Sequence, residues 1–460
     1  MSKFKLYDHQ EMVITMMDAN EKMGIFAEIG TGKTNMALFW TLRAYKRGEV
    51  SRVLVVCPAS LVPSWENAIE DMINFEGVSK ADVELMKNVI TIRSFQKTYR
   101  SEKKLIGKRN GLDAYKKVLS LRDDVDRTWS AVFIDESHCI GAHNSVQTKA
   151  AITLSKLAKR RYIMTGTPVH GAAGRESFEK LYGQLQFLYQ GRMWRNWTDF
   201  TTRYVTSWDR FHKPATWDVY SCHRLMQNHA IVLRAEDCLD LPGFTETDMP
   251  CIIDPKAQKI YKDIRSGNCA PYNVTIPVAG GQYLKLLQIV SGSCKQDDNG
   301  ILTMPCSKDD MLIDILNGSE KRFVIFCKYR ASVDRVADLC RKAKKEVLTF
   351  DGRTPKNGKL PWEQFNEGKG DVLVVQYASG SAGLNIQTGC FACIFFEPCL
   401  SALKLEQAHG RIYRSGQKEH CVYYYLVTKN TLEERVWREV REGRDVSNQT
   451  LIDWANDEIF

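Results

Sequence analysis

Short apolar runs alternate along this chain with longer stretches of helical periodicity. Residues 24–27, 53–56 and 131–134 are continuous apolar runs, and residues 36–40 open a helical stretch between the first two. Strands apolar on both faces and separated by helices predict a parallel sheet covered on both sides. The same logic returns downstream, with strand-like runs at 323–327, 347–350, 372–376, 393–396 and 422–426. The expected fold is therefore α/β, with two parallel-sheet lobes in tandem and no sequence repeat between them. The expected bounds are residues 1–244 and 245–448, followed by a tail at 449–460.

Three stretches interrupt the alternation. Residues 100–127 are rich in Lys and Arg with interspersed Asp, which reads as a solvated helical face or, more sharply, as a DNA contact. Residues 192–224 hold Trp194, Trp197, Trp208 and Trp217 among basic residues. A small helical insertion with the tryptophans in its core is favoured there over stacking on bases, which needs exposed rings. Residues 264–310 carry Gly, Pro and Ser, and a flexible loop is expected near 266–281.

Composition is that of a globular protein, 44% hydrophobic and 26% charged, with a net charge of +9 that suits a polyanionic partner without demanding one. No run of 18 apolar residues is present, so no membrane span is expected. The N-terminus shows no signal-peptide apolar region. The fourteen cysteines are scattered, several within apolar strands, which suits reduced, buried thiols in a cytosolic setting. Cys390 and Cys393 have metal-ligand spacing, and Cys399 and Cys421 could extend it, but no second pair of matching spacing accompanies them.

The candidate chemistry lies at the ends of the predicted strands. After the first comes Ala27-Glu28-Ile29-Gly30-Thr31-Gly32-Lys33-Thr34. Gly30 and Gly32 allow a tight turn around Thr31 with inward-facing N–H groups, and the following helix adds its positive N-terminal end. Lys33 can reach β- and γ-phosphates and the Thr34 hydroxyl can ligate Mg²⁺. Ala27 stands where this pattern normally opens with Gly. At the carboxyl end of the 131–134 strand, Asp135 can hold Mg²⁺ and Glu136 can orient and deprotonate a water. Far downstream, Gln407-Ala408-His409-Gly410-Arg411-Ile412-Tyr413-Arg414 places Gln407, Arg411 and Arg414 on one face if the segment is helical.

Together these motifs resemble the Swi/Snf-type ATPases of helicase superfamily two, over nearly the whole chain. Leu6-Tyr7-Asp8-His9-Gln10 resembles the family's opening motif, which implies that Gln10 reads adenine. Cys57-Pro58-Ala59-Ser60-Leu61 with Trp65, and Thr91-Ile92-Arg93-Ser94-Phe95, resemble DNA-contact motifs. Arg161-Tyr162-Ile163-Met164-Thr165-Gly166-Thr167-Pro168 resembles the segment that couples nucleotide state to DNA grip. Gly380-Ser381-Ala382-Gly383-Leu384-Asn385 resembles the one that touches DNA and senses ATP, which brings in Gly383. Thr431-Leu432-Glu433-Glu434-Arg435 matches the closing segment. The resemblance implies two RecA-like lobes, ATP and Mg²⁺ as cofactors, and Arg411 and Arg414 as arginine fingers. It further implies a DNA-dependent ATPase that moves along double-stranded or branched DNA and remodels bound proteins or forks. Departures from the family pattern are Ala378 for an Arg, Cys399-Leu400-Ser401-Ala402 for a Trp-Asn pair, and Val169-His170-Gly171 after Pro168.

The alternatives are a strand-separating DNA or RNA helicase and a non-catalytic nucleic-acid scaffold, the latter opposed by the intact Lys33, Thr34, Asp135, Glu136, Arg411 and Arg414. A minimal monomeric motor is expected, of viral, phage or bacterial source or lent to a larger machine with protein partners on DNA. Its expected place is the cytoplasm of a bacterial or phage-infected cell, or the nucleus of a eukaryote.

Overall fold

The computed structural model describes residues 3–454 except 110–111, 170–176, 211, 277–280, 356–357, 381–383, 385, 387–388, 448–449 and 452–453. The chain divides into two compact units, the first reaching Leu239 and the second beginning at Asp240.

In the first unit the strands are β1 (Lys22–Ala27), β2 (Val53–Cys57), β3 (Ile90–Ser94), β4 (Tyr99–Arg109), β5 (Leu112–Leu121), β6 (Trp129–Asp135), β7 (Ala158–Thr165), β8 (Val205–Trp208), β9 (Pro214–Trp217) and β10 (Ala230–Leu233). Six form one sheet in the order β10-β1-β7-β6-β2-β3, every pair parallel. The period-two rule of strands sorts their side chains onto two separate cores. Ile25, Val53, Val55, Phe133, Tyr162 and Met164 face one cluster, while Phe26, Leu54, Val56, Val132, Ile134 and Ile163 face the other.

The second unit repeats the plan with β11 (Phe244–Ile252), β12 (Ser293–Lys295), β13 (Ile301–Thr303), β14 (Phe323–Cys327), β15 (Val347–Phe350), β16 (Val372–Gln376), β17 (Ala392–Phe395) and β18 (Cys421–Lys429). Its parallel sheet has the order β11-β18-β17-β14-β16-β15. Val324, Phe326, Leu373, Val375 and Phe395 line one core, and Phe323, Ile325, Val372, Val374 and Ile394 the other. The tandem α/β expectation is met.

The interruptions correct two sequence expectations. Residues 100–127 are not helical: β4 and β5 pair antiparallel as a long hairpin. The 192–224 insertion is mixed, with helices Trp197–Tyr204 and Val219–His229 on either side of the antiparallel β8–β9 hairpin. Its tryptophans mostly pack inward: Trp194 lies 4.7 Å from the Phe200 ring and Trp217 5.6 Å from it, while Trp197 stacks on His143 at 4.0 Å. Trp208 alone of the four is exposed. In the 266–281 stretch, a 3-10 turn forms at Ala270–Tyr272, and residues 277–280 lie outside the described set.

The closing segment has a clear structural task. Lys308 and Glu433 form an ion pair in which both side chains are 0% exposed. The second Glu433 oxygen accepts from the Thr428 backbone N–H at 3.0 Å. Removing one partner of such a pair strands a buried charge, a loss of about 3–5 kcal/mol, whereas replacing both is far milder. Lys308→Met is thus expected to destabilise the second unit by about that amount. Urea unfolding should show Lys308→Met combined with Glu433→Gln to be the more stable of the two variants.

Candidate nucleotide site

The glycines of the phosphate loop do what their positions predict. Gly30 and Gly32 have φ of 91° and 85°, in the left-handed region open to Gly at little cost. Gly32 caps the helix Lys33–Lys46. It is needed for room as well, since a Cβ there would lie 2.1 Å from Gln10 Nε2. Thr31 between them is buried; its hydroxyl donates to the Glu28 carbonyl at 2.8 Å. Lys33 Nζ donates to the carbonyls of Ala27 and Glu28 at 2.6 and 3.2 Å, which keeps the ammonium against the loop. Thr34, one residue into the helix, is half-buried.

Gln10 is buried against this loop. Its Nε2 donates to the Thr31 carbonyl at 3.0 Å and its Oε1 accepts from the Tyr7 backbone N–H at 3.1 Å. His9 Nε2 also lies 2.9 Å from the Thr31 oxygen.

Asp135 ends β6 at the carboxyl edge of the sheet, where β1 delivers the phosphate loop. Its Oδ2 accepts from the Trp65 indole N–H at 2.9 Å and its Oδ1 from the Glu136 backbone N–H at 2.9 Å. Burial raises the Asp135 pKa, and the neighbouring Glu136 charge raises it further, against the Trp65 hydrogen bond and the Lys33 charge. Glu136 follows with φ 50°, a left-handed conformation that costs a non-glycine residue about 1–3 kcal/mol. Burial would raise the Glu136 carboxyl too, but hydrogen bonding and charge from His138, with the Lys33 charge and the Thr165 hydroxyl, outweigh it and hold the group below its ordinary value.

His138 Nδ1 lies 2.9 Å from Thr165 Oγ1 and 3.3 Å from Glu136 Oε2. Burial opposes its charge, yet hydrogen bonding to Cys139 and Glu136 prevails and pushes the ring up to about 9. Thr165 Oγ1 donates to Glu136 Oε2 at 3.3 Å and accepts from the Thr167 N–H at 3.1 Å. Glu136 is thereby tied to the Thr165-Gly166-Thr167 turn after β7. The supporting roles of Trp65, His138 and Thr165 were not legible beforehand, although Trp65 and Thr165 lie within the quoted motifs and His138 follows Glu136 by two residues. What connects them is the sheet order, which sets β7 beside β6 and β6 beside β2.

In the second unit, Gln407 lies in the helix Ala402–His409, but Arg411 and Arg414 do not, which corrects the single-face expectation. The helix ends at Gly410, and the chain then turns, with Gln417 Nε2 holding the carbonyls of Ile412 and Cys390 at 3.0 Å each. Arg411 is buried and donates through Nη1 to the Leu384 carbonyl at 3.0 Å. Arg414 is half-buried; its Nε is closed off from solvent with no hydrogen-bond partner, and burial brings the guanidinium down to about 10. Gly383 lies outside the described residues.

Cys390 and Cys393 belong to the core. The Cys390 thiol lies 3.5 Å from the carbonyls of Arg322 and Ala392; burial pushes it up to about 12, and Cys393 well above its ordinary value. Metal ligation needs the thiolate, which this setting disfavours. Among the described residues no cluster of three or more His, Cys, Asp or Glu is placed to hold a metal. No described helix is long and apolar enough to cross a membrane.

A phosphate loop and an Asp-Glu pair on one parallel sheet, with a second such sheet carrying paired arginines, define the helicase-type class of nucleotide-dependent proteins. Residues 9–297 match the SNF2-related domain and residues 307–416 the helicase conserved C-terminal domain, and the chain belongs to the SNF2-related family. It is similar to an "Uncharacterized ATP-dependent helicase" of Mycoplasma pneumoniae, 27% identical over 463 residues that cover 96% of this chain and 41% of the relative. The human "DNA annealing helicase and endonuclease ZRANB3" is 23% identical over 456 residues, covering 95% and 40%. The chain thus spans about two fifths of the length of these relatives. The Pyrococcus furiosus Hef helicase domain has the same fold, with a TM-score of 0.51 at 14% identity over 94% of this chain and 98% of that one.

The Trp65 hydrogen bond favours the ionised form of Asp135. Trp65→Phe keeps most of the bulk and loses the donor. The Asp135 pKa is then expected to rise by about one unit, the shift that a charge-assisted bond of ~1.5 kcal/mol sets. Carboxyl-carbon NMR titration of labelled aspartate measures it.

Proposed function

We propose that this chain is an ATP-driven translocase on duplex DNA, which hydrolyses ATP to move along the double helix and to remodel proteins, forks or branches on it. The observation that carries the hydrolytic part is the state of Glu136. The carboxylate, set beside Asp135, has His138 Nδ1 and the Thr165 hydroxyl each 3.3 Å from its Oε2, and these neighbours favour its ionised form. A general base must be unprotonated and fixed in place. A decayed scaffold has no use for backbone strain and a buried charge network maintained at this point.

In this reading the turn at Gly30–Gly32 cradles the phosphates. Lys33 exchanges its carbonyl partners for phosphate oxygens, and Glu136 orients the attacking water and takes its proton. Thr34 and Asp135 offer the hard oxygen donors that Mg²⁺ prefers, with nucleotide phosphates completing the set. The metal's chemistry there is neutralisation of phosphate charge. Arg411 and Arg414 complete the site from the second unit. The Arg414 Nε that lacks a partner is a donor suited to an anion, and its planar fork can bridge two phosphate oxygens. Gln10 reads adenine or, through its bond to the Thr31 carbonyl, sets the loop's shape. The link from Glu136 through Thr165 to Thr167 is a route by which nucleotide state reaches the segment expected to grip DNA. Family membership and the DNA-directed name of the human relative support DNA as the track.

Glu136→Gln keeps the side chain's shape and removes the base. ATP turnover is expected to fall about 10²–10⁴-fold with nucleotide binding retained; near-normal turnover would remove Glu136 from the role of base. Arg414→Ala is expected to cut turnover by about 10³-fold or more while ATP and DNA affinity hold, with Lys rescuing poorly. Turnover measured with and without duplex DNA tests the track: stimulation by single-stranded RNA and not by duplex DNA moves the reading to an RNA helicase.

A further inference from the structure

The β4–β5 hairpin is absorbed by neither the nucleotide site nor the sheet. Its root is built into the first unit. Phe95, Leu121 and Val125 are buried in one of the two cores, and the Arg122 N–H donates to the Thr98 carbonyl at 3.1 Å, closing the base. Immediately beyond the root, Arg100, Ser101, Glu102 and Ser120 are exposed. From there the two strands run on as an antiparallel ribbon, β4 of 11 residues and β5 of 10, with part of β5 lying beside the helix Val146–Ser155. At ~3.3 Å per residue such strands reach on the order of 30 Å.

The charge on this ribbon is one-sided. Residues 99–121 hold seven basic and two acidic residues, a net charge of +5 in a chain whose total is +9. The register concentrates it: Lys103 stands opposite Lys117, and Lys104 opposite Lys116. Because successive strand residues alternate faces, the first pair lies on one face of the ribbon and the second on the other. The register thus places four lysines in two adjacent cross-strand pairs, one pair on each face. Like charges directly opposite each other destabilise an antiparallel pair. Lysines also guard a ribbon's edges against pairing with other strands. That duty is indifferent to sign, and alternating signs would serve it while attracting across the strands. Pairs of one sign on both strands answer instead to a polyanion.

From this juxtaposition we infer that the hairpin is a second, sequence-independent DNA-contact arm, which lays its lysine pairs against duplex phosphates outside the family's motor motifs. A major groove about 12 Å wide admits a two-stranded ribbon, and a pair on each face suits the phosphate walls on its two sides. Lysines meeting phosphates carry affinity and register without reading bases. The inference rests on the translocase reading for its choice of duplex DNA.

The test is K103E/K104E in the full chain. This variant sets opposite charges across the ribbon in both pairs, so it supports the hairpin fold while reversing half of the lysines. Thermal unfolding is expected at or above the temperature of the unaltered chain. Binding to a random-sequence 30-bp duplex is read by fluorescence anisotropy across salt concentrations. The slope of log affinity against log salt is expected to shrink by about 2–4, at roughly 0.9 for each phosphate that is no longer neutralised, with affinity at 0.1 M salt down on the order of 10²-fold or more. The DNA concentration for half-maximal ATPase stimulation should rise at least about tenfold with the plateau unchanged, as expected when a uniform binding contribution is removed. K103Q/K104Q/K116Q/K117Q is expected to give the same slope change without reversed charge. If the unaltered chain binds duplex DNA and both variants keep its slope and half-maximal concentration, the arm is overturned and the translocase reading stands. If the unaltered chain neither binds duplex DNA nor is stimulated by it, the translocase reading falls and the arm falls with it.

Discussion

Two carboxylates on consecutive residues, both largely withdrawn from water, are the constraint around which the first unit is arranged. Asp135 and Glu136 repel each other where the dielectric is low, and the surroundings of both are compensation for that. Trp65 reaches from the helix after β2, Lys33 from the helix after β1, and His138 and Thr165 close around Glu136. The result is asymmetric: the Asp135 pKa is pushed up and the Glu136 pKa down. Adjacent groups whose environments drive them apart can divide labour, one holding a cation and one accepting a proton. The parallel sheet makes this possible, because strands of one direction bring all their carboxyl ends to one edge.

The second unit uses the same sheet and handles its buried charge differently. Glu397, just past β17, gives one oxygen to the backbone N–H groups of Lys328 and Tyr329 at 2.7 and 2.9 Å and the other to the Ser332 hydroxyl at 3.0 Å. Glu433 is matched by Lys308. These carboxylates are saturated from within and hold the carboxyl end of β14 and the closing helix in place. Arg414 is the contrast, a guanidinium partly withdrawn from water with an Nε that nothing satisfies. Lys328 Nζ is likewise buried without a hydrogen-bond partner, so the second unit leaves cationic donors unsatisfied as well as carboxylates saturated.

The strands were legible because a strand buried on both faces leaves an uninterrupted apolar run. The predicted 323–327, 347–350 and 372–376 runs coincide with β14, β15 and β16. The loop glycines were legible because few other residues tolerate their φ. The β4–β5 hairpin was missed because its sequence shows no sustained alternation of apolar and polar positions, and a lysine-rich stretch looks the same as helix or strand. The Asn110-Gly111 pair, the two residues between β4 and β5, was the available signal. The end of the arginine segment's helix at Gly410 was missed because spacing of three residues suits a turn as well as a helix. Trp65 could not be given its part, since its partner lies 70 positions away in sequence.

The closed root of the hairpin has a consequence for how this chain can vary. Thr98 and Arg122 are joined by a backbone hydrogen bond beside the buried Leu121, so the segment between them leaves and re-enters the lobe at one place. A segment attached in this way is a cassette: it can be shortened, lengthened or exchanged without asking the sheet to re-register. Sequence drift in the arm is therefore uncoupled from drift in the motor, and the same place offers a grafting point for a fluorophore-bearing or affinity module on an otherwise unaltered lobe.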